Sequence, residues 1–250
     1  MQVEVGVGWA MSVMLLSLRI GPVFVLAPPF SQTQTPLRVR VCLVMALSAC
    51  LAQPIPASVY QDDGALMLST ASELLLGLMV AFAFQAAFAA LSFAGRVLDV
   101  QAGYGLAMVI DPGSRSQAPM FGTILVLVAG LIFFAANGQD DLLRLLATLV
   151  HVVPVGQAHL FDRPQAFIGY FGMVMGMGLT AVAATIITLF LLDLAIAFMS
   201  RALPQMNALM LGLQVKTIVT LGVMALSVGL IAPATLRLMS AALEFIPSQL

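Results

Sequence analysis

Long apolar stretches alternate along the chain with short joints that hold most of its charges, prolines and glycines. A bilayer core of about 30 Å needs roughly 20 helical residues, so these stretches predict membrane helices. Two of them, 66–98 and 166–199, would each reach roughly 50 Å as a straight helix. They must either kink or lie partly outside lipid, against protein. The six apolar stretches are residues 5–26, 41–55, 66–98, 120–136, 166–199 and 208–236.

The shorter stretches differ in how well they fit a membrane. Residues 120–136 fit a single span, whereas residues 41–55 need an extension through Arg38 and Arg40 to reach across. Residues 142–153 are more polar and predict a short amphipathic or re-entrant helix. The first stretch follows no basic residues, so we expect a retained helix rather than a removable signal peptide.

Composition supports a membrane protein. The 250 residues are 61% hydrophobic and 8% charged, against roughly 45–50% and about 25% in ordinary soluble domains. So few charges cannot cover a soluble globule, and much of the surface must face lipid or other protein. The sequence therefore predicts an all-α polytopic membrane protein, with residues 1–250 as one helical domain. The basic residues are scattered singly, which disfavours nucleic-acid binding.

Motifs for catalysis, cofactors or metals are missing from the sequence. It contains no phosphate-binding loop, no nucleophile elbow and no His/Cys cluster with metal-ligand spacing. We therefore expect a protein that is not an enzyme and binds no cofactor or metal. Cys42 and Cys50 are interpreted as small buried hydrophobic residues.

Charged residues inside or at the edge of the apolar stretches are functional candidates, because a charge in hydrocarbon is costly. Arg19 could extend its side chain to the membrane surface or contact a partner. Glu73 lies near the start of its stretch, where a helix dipole favours an acid. Asp193 has no basic residue three or four positions away, so it faces another helix, a water-filled lumen, or is protonated. The four candidates are Arg19, Glu73, Asp99 and Asp193.

Two further features concern packing and the central joint. A small-residue surface, formed by Gly169, Gly172, Gly176 and Gly178, is interpreted as packing within the chain rather than between subunits. The joint at 103–119 reads GYGLAMVIDPGSRSQAP, an irregular segment that still contains an apolar run at 106–110. Irregular backbone cannot face lipid. The joint is therefore either a cavity-lining or cavity-blocking element, or an ordinary interfacial loop.

Several motifs occur in order along nearly the whole chain. An early joint reads Pro36-Leu37-Arg38-Val39-Arg40, and a central one reads Ala94-Gly95-Arg96-Val97-Leu98-Asp99-Val100-Gln101-Ala102-Gly103. Asp111-Pro112-Gly113 follows. The last reads Arg201-Ala202-Leu203-Pro204-Gln205-Met206-Asn207, with Lys216 beyond it. Together they resemble the FliR/SctT family of the type III secretion export apparatus, and the flagellar FliR branch more than the injectisome SctT branch.

This resemblance implies a fold and a function. The fold would be a FliP-like region, 1–160, followed by a FliQ-like helical hairpin, 161–250. The chain would join FliP-type and FliQ-type subunits in a helical hetero-oligomer that exports unfolded flagellar proteins. A FlhB-type switch protein would lie at the cytoplasmic entrance, and the assembly would occupy the bacterial inner membrane at the flagellar basal body. An injectisome subunit is the second candidate, and a small-molecule or ion transporter is the third.

The resemblance also assigns roles to residues in two of the joints. The plug of the closed channel would comprise Gly103, Gly105, Leu106, Met108, Ile110, Asp111, Pro112 and Gly113. The contacts with partners or between loops would involve Arg38, Arg40, Arg201, Pro204, Gln205, Asn207 and Lys216.

Overall fold

Helices make up most of the part of the chain that the structure describes. The computed structural model describes residues 2–31, 35–53, 62–104, 120–156, 164–202 and 208–249, and within these ranges there are no strands. The predicted all-α class is confirmed. The helices are α1 (Gln2–Leu26), α2 (Pro28–Ser31), α3 (Leu37–Leu51), α4 (Asp63–Ala102), α5 (Met120–Ala135), α6 (Gly138–Val152), α7 (Pro164–Ala181), α8 (Ala183–Ala202) and α9 (Ala208–Phe245), followed by a 3₁₀ turn at Pro247–Gln249.

Membrane-crossing capacity lies in four of the described helices, namely α1, α4, α8 and α9, which are long and apolar enough to span a bilayer. Helices α5 and α6 form a fifth span only if they are taken together, and they are bent by 71°. Because α5 alone has 16 residues, about 24 Å, the single span at 120–136 stays a prediction. The chain turns at Asn137, whose backbone is left-handed with φ 57°, a conformation that asparagine tolerates better than most residues.

The two stretches that are too long for one membrane span, 66–98 and 166–199, fold differently. The first is a single long helix, and the second is divided into two helices. Helix α4 runs unbroken for 40 residues, about 60 Å, and 67% of its most apolar window is buried by the chain itself. Packing against protein therefore accounts for its length. The stretch 166–199 instead breaks at Val182, whose N–H donates to the Leu179 carbonyl at 3.2 Å. This break separates α7 from α8.

Helix α3 differs from the prediction in two ways: it is shorter, and its two cysteines are exposed. It begins at Leu37 and so includes the predicted basic extension, but it ends at Leu51 after 15 residues. That is about 22 Å, which does not cross a bilayer core. Cys42 and Cys50 are exposed on this helix, so their interpretation as buried residues is wrong.

Two compact units divide the chain. The first contains Met1–Ala86, Phe133–Tyr170 and Met239–Leu250, and the second contains Ala87–Ile132 and Phe171–Leu238. Helices α4, α5, α7 and α9 contribute residues to both units. One part of each of these helices therefore packs within the first unit and another part within the second.

Aromatic side chains fill much of the first unit. Phe133 meets Phe84 edge-to-face at a centroid distance of 6.0 Å, and Tyr170 stacks on Phe245 at 4.3 Å. The buried Tyr170 hydroxyl donates to the Ala83 carbonyl at 2.8 Å. Aromatic pairs of these geometries add to area burial. The buried hydrophobic residues of the second unit include Ala90, Leu91, Ala94, Leu98, Phe121, Leu125, Val174 and Leu189.

Outward-facing apolar surface is concentrated on α8 and α9. Only 11% and 22% of their most apolar windows are buried, and Phe190, Ile218 and Leu226 are more than half exposed. The small residues of α7 differ in their surroundings. A Cβ added at Gly169, Gly172 or Gly176 would meet nothing within 4 Å, whereas one at Gly178 would lie 2.7 Å from the Ala90 carbonyl oxygen. The predicted packing within the chain is therefore confirmed at Gly178 and wrong at the other three positions.

Candidate functional site

An ion pair between Arg19 of α1 and Glu73 of α4 lies at the centre of the first unit. Both side chains are 0% exposed. The Arg19 Nε donates to Glu73 Oε2 at 2.5 Å, and its Nη2 donates to Oε1 at 2.9 Å. Two parallel N–H···O bonds of this kind are the strongest arrangement available to an arginine and a carboxylate.

The remaining hydrogen-bonding groups of the pair reach the end of α6. Arg19 Nη1 donates to the carbonyls of Leu149 at 3.1 Å and Val153 at 3.0 Å. Both carbonyls lie at a helix C-terminus, where the helix dipole favours a cation. The Leu149 carbonyl also accepts the Val153 N–H at 2.9 Å, so it is shared between the helix end and Arg19. Glu73 Oε1 in turn accepts the Gly156 N–H at 3.1 Å. We call Arg19, Glu73, Leu149, Val153 and Gly156 the Arg19–Glu73 cluster.

Close backbone contact positions the two charged side chains. A Cβ at Gly77 would lie 2.9 Å from the Leu18 carbonyl oxygen and closer still to that of Arg19. Gly77 is one turn beyond Glu73 on the same face of α4. Its lack of a side chain therefore lets α4 approach α1 near enough for Glu73 to reach Arg19.

Apolar residues and a shaped turn complete the surroundings. The buried side chains of Leu15, Leu16, Val150 and Val155 pack together. Gly156 has a left-handed φ of 85°, which glycine adopts without strain, and its carbonyl accepts from Ser69 Oγ at 2.8 Å. The turn after α6 is thus tied to α4 at both its N–H and its carbonyl.

These contacts correct two interpretations made from the sequence. Arg19 does not extend to the membrane surface, because its side chain is enclosed by the chain itself. Glu73 is not in the first turn of its helix, because α4 begins at Asp63, so a helix dipole does not explain it. Sequence reasoning weighed each charge alone and missed the pair. The available signal was that a buried charge requires a counter-charge.

A second ion pair joins α8 to α9 in the second unit. Lys216 Nζ contacts Asp193 Oδ1, with the two side chains 21% and 42% exposed. Asp193 was predicted to face another helix, to face a water-filled lumen or to be protonated. In the structure it contacts another helix, α9. Lys216 was assigned to a partner or loop contact, but it lies within α9 and its described contact is this intrachain pair.

Asp99 joins α4 to the start of α5. Its carboxylate oxygens accept the N–H of Phe121 at 3.1 Å and, more weakly, that of Gly122 at 3.5 Å. Asp99 is 4% exposed. The first N–H groups of a helix lack partners within it, so this carboxylate satisfies them from a neighbouring helix.

The other predicted site residues are spread over the surface or lie outside the described ranges. Arg38 and Arg201 are exposed. Arg40 donates to Thr35 Oγ1 at 2.9 Å and to the Ser31 carbonyl at 3.3 Å. Gly103 ends α4 with a φ of 93°. The predicted residues outside the described ranges are Gly105, Leu106, Met108, Ile110, Asp111, Pro112, Gly113, Pro204, Gln205 and Asn207.

The hydrogen bonds of the Arg19–Glu73 cluster join three parts of the fold: α1, α4 and the end of α6. Within the described residues, no three His, Cys, Asp or Glu side chains are grouped to hold a metal ion. The fold and these contacts define a polytopic helical membrane protein in which Arg19 pairs with Glu73 and Lys216 with Asp193, while Asp99 accepts backbone N–H groups.

Comparison with known proteins gives the family. A family model described as bacterial export proteins, family 1, matches residues 10–242, so the chain belongs to that family. It is 30% identical to the flagellar biosynthetic protein FliR of Escherichia coli K12 over 218 residues, 86% of this chain and 84% of that protein. The FliR of Bacillus subtilis is 28% identical over 213 residues, 83% of this chain and 82% of that protein. The resemblance drawn from the motifs is confirmed.

A relative from another secretion system is also similar. The Yop proteins translocation protein T of Yersinia pestis is 30% identical over 162 residues. The match covers 62% of this chain and 61% of that protein. The family therefore includes proteins named for flagellar biosynthesis and for Yop translocation.

The Arg19–Glu73 cluster generates a stability prediction. Arg19→Leu or Glu73→Leu leaves the other charge buried without its partner, which costs about 3–5 kcal/mol of unfolding free energy. The double variant should lose less than either single variant, because neither charge is then left unpaired. The unfolding free energies of the parent, the two single variants and the double variant form a double-mutant cycle. They are measured by denaturation of the purified proteins in detergent.

Arg144→Leu is the matched control, because Arg144 is exposed on α6 and should leave the unfolding free energy within about 0.5 kcal/mol of the parent. If the double variant lost as much unfolding free energy as the two single variants together, Arg19 and Glu73 would not stabilise each other.

Proposed function

We propose that this chain is a non-enzymatic FliR-type subunit of the flagellar type III protein-export gate. With FliP-type and FliQ-type subunits it would form the channel through which unfolded flagellar proteins leave the cytoplasm. The observation that carries the proposal is the family match over residues 10–242, together with similarity to Escherichia coli FliR over 84% of that protein. The assembly would reside in the inner membrane, in the flagellar basal body.

Apolar outward surface supports a subunit that packs against other helical chains. Helices α8 and α9 bury little of their apolar length within the chain, and Gly172 and Gly176 form an open small-residue face. Small faces let neighbouring helices approach closely and gain contacts that lipid does not supply. We assign these surfaces to FliP-type and FliQ-type neighbours, with residues 1–160 as the FliP-like region and 161–250 as the FliQ-like hairpin.

The export-gate proposal also assigns roles to two exposed arginines and to the central segment, 103–119. Arg38 and Arg201 are exposed and would contact partner subunits or a FlhB-type switch protein at the cytoplasmic entrance. The segment 103–119 would plug the closed channel. Its apolar run, 106–110, is suited to a narrow passage lined by protein.

An injectisome subunit is the second candidate, supported by the similarity to the Yersinia T protein. The shorter coverage, 61% of that protein against 84% of Escherichia coli FliR, favours the flagellar function. Restored swimming in a mutant lacking its own flagellar subunit, without restored injectisome secretion, would separate the two.

The export-gate proposal predicts association and a motility phenotype. Co-expressed with the FliP-type and FliQ-type proteins of the same bacterium, the chain should co-purify as a single complex of defined mass. Deletion of its gene should abolish flagellar secretion and swimming, and a plasmid copy should restore both. Failure to co-purify, combined with normal swimming in the deletion strain, would disprove the proposal.

The plug assignment predicts a permeability phenotype. Deletion of residues 106–110 should leave the complex assembled but let ions or small solutes cross the inner membrane, because the segment that blocks the closed passage is shortened. Leakage is measured by growth with an added permeant solute and by ion flux. Normal permeability in an assembled complex would show that the segment is an ordinary loop.

The second ion pair predicts a charge-reversal pattern. Asp193→Lys or Lys216→Asp places like charges together between α8 and α9, so each single variant should reduce complex yield and secretion. The exchanged variant, Asp193→Lys with Lys216→Asp, restores attraction and should recover much of both. Recovery no better than the single variants would show that the residues do not act mainly on each other.

A further inference from the structure

Helix α4 ends in a hydrogen-bonded turn that begins at Asp99. The Tyr104 N–H donates to the Asp99 carbonyl at 2.9 Å, and the Gly103 N–H donates to the Val100 carbonyl at 3.2 Å. With Gly103 at a φ of 93°, this is the pattern of bonds that closes a helix with a left-handed glycine. The backbone of Asp99 therefore fixes where the chain leaves α4.

The side chain of the same residue fixes where the chain enters α5. Helix N-termini are usually capped by the residue directly before them. Here the acceptor for the Phe121 N–H is a carboxylate 22 positions earlier, on another helix. Asp99 is almost fully buried, and both its carboxylate oxygens face these N–H groups. One residue thus holds both ends of the intervening chain.

Two contacts beside Asp99 keep these ends together. A Cβ at Gly95 would lie 2.6 Å from the Phe121 carbonyl carbon and closer still to Gly122, so α4 and α5 meet there backbone to backbone. The ring of Tyr104 packs edge-to-face on Phe121 with centroids 5.8 Å apart. The short Asp99 side chain reaches α5 because no side chain separates the helices at Gly95.

We propose that Asp99 is a positioning residue for the central segment, which fixes its start through the backbone carbonyl and its end through the carboxylate. The consequence for the membrane barrier rests on the proposed function, in which this segment plugs the channel. Without the carboxylate the start of α5 is released from the end of α4, and these are the two points between which the segment runs. The helices of both units keep their other contacts.

The test uses the assembled complex with its FliP-type and FliQ-type subunits. Asp99→Leu removes the acceptor at nearly constant size, whereas Asp99→Asn keeps an oxygen that accepts N–H groups nearly as well at helix starts. Amide hydrogen exchange at Phe121 and Gly122 reports the cap directly, and ion leakage reports the barrier. Val100→Ala is the matched control, because Val100 is adjacent and 72% exposed.

Asp99→Leu should raise exchange at these two amides by roughly tenfold and should leak, while Asp99→Asn and Val100→Ala should stay near the parent in both measurements. Parental exchange in an assembled Asp99→Leu complex would overturn the proposal. If deletion of 106–110 leaks but Asp99→Leu does not, Asp99 does not position the segment and the export-gate proposal stands. If the deletion itself does not leak, the plug role fails and exchange alone decides the role of Asp99.

A further variant covers the case in which Asp99→Leu does not assemble. Asp99→Glu keeps the charge but is one methylene too long for the contact at Gly95. It should show exchange at Phe121 between the values of Asp99→Asn and a freely exchanging helix start. Exchange and permeability identical to the parent would overturn the positioning role.

Discussion

The ion pair between Arg19 and Glu73 is the interaction on which the first unit depends. Removing two charges from water costs several kcal/mol per ion, so such a pair persists only where hydrogen bonds satisfy both groups. Arg19 and Glu73 meet this requirement with two bonds to each other and with backbone groups at the end of α6. Helices α1, α4 and α6 must therefore lie in one particular arrangement.

The outer surface of α8 and α9 is largely apolar. Their exposed side chains include Phe190, Ile218 and Leu226, and Asp193 and Lys216 are paired with each other. An isolated chain with this surface requires lipid or neighbouring helices around it. The long helix α4, in contrast, is mostly buried by its own chain. This division suits a subunit built into a larger assembly.

Sequence reasoning reached the helices more reliably than the contacts between them. Apolar length located α1, α4 and α9, because a helix in an apolar setting needs only a continuous run of suitable residues. The break at Val182 was missed, because neither proline nor glycine marks it. The Arg19–Glu73 pair was missed because 54 residues separate its members, and sequence spacing says nothing about which helices meet. Each of the two buried charges needs an opposite charge beside it, however far apart the two residues lie in the sequence.

The central motif shows why some short patterns identify a family better than apolar periodicity does. Gly95, Asp99 and Gly103 are four apart, so they lie on one face of α4. Each meets a backbone requirement: close approach to α5, a cap for its first N–H groups, and a left-handed helix end. Many apolar residues can fill a helix face that contacts lipid, but few residues meet these three requirements. The contact between the end of α4 and the start of α5 therefore depends on a few small and acidic residues, not on the hydrophobic ones.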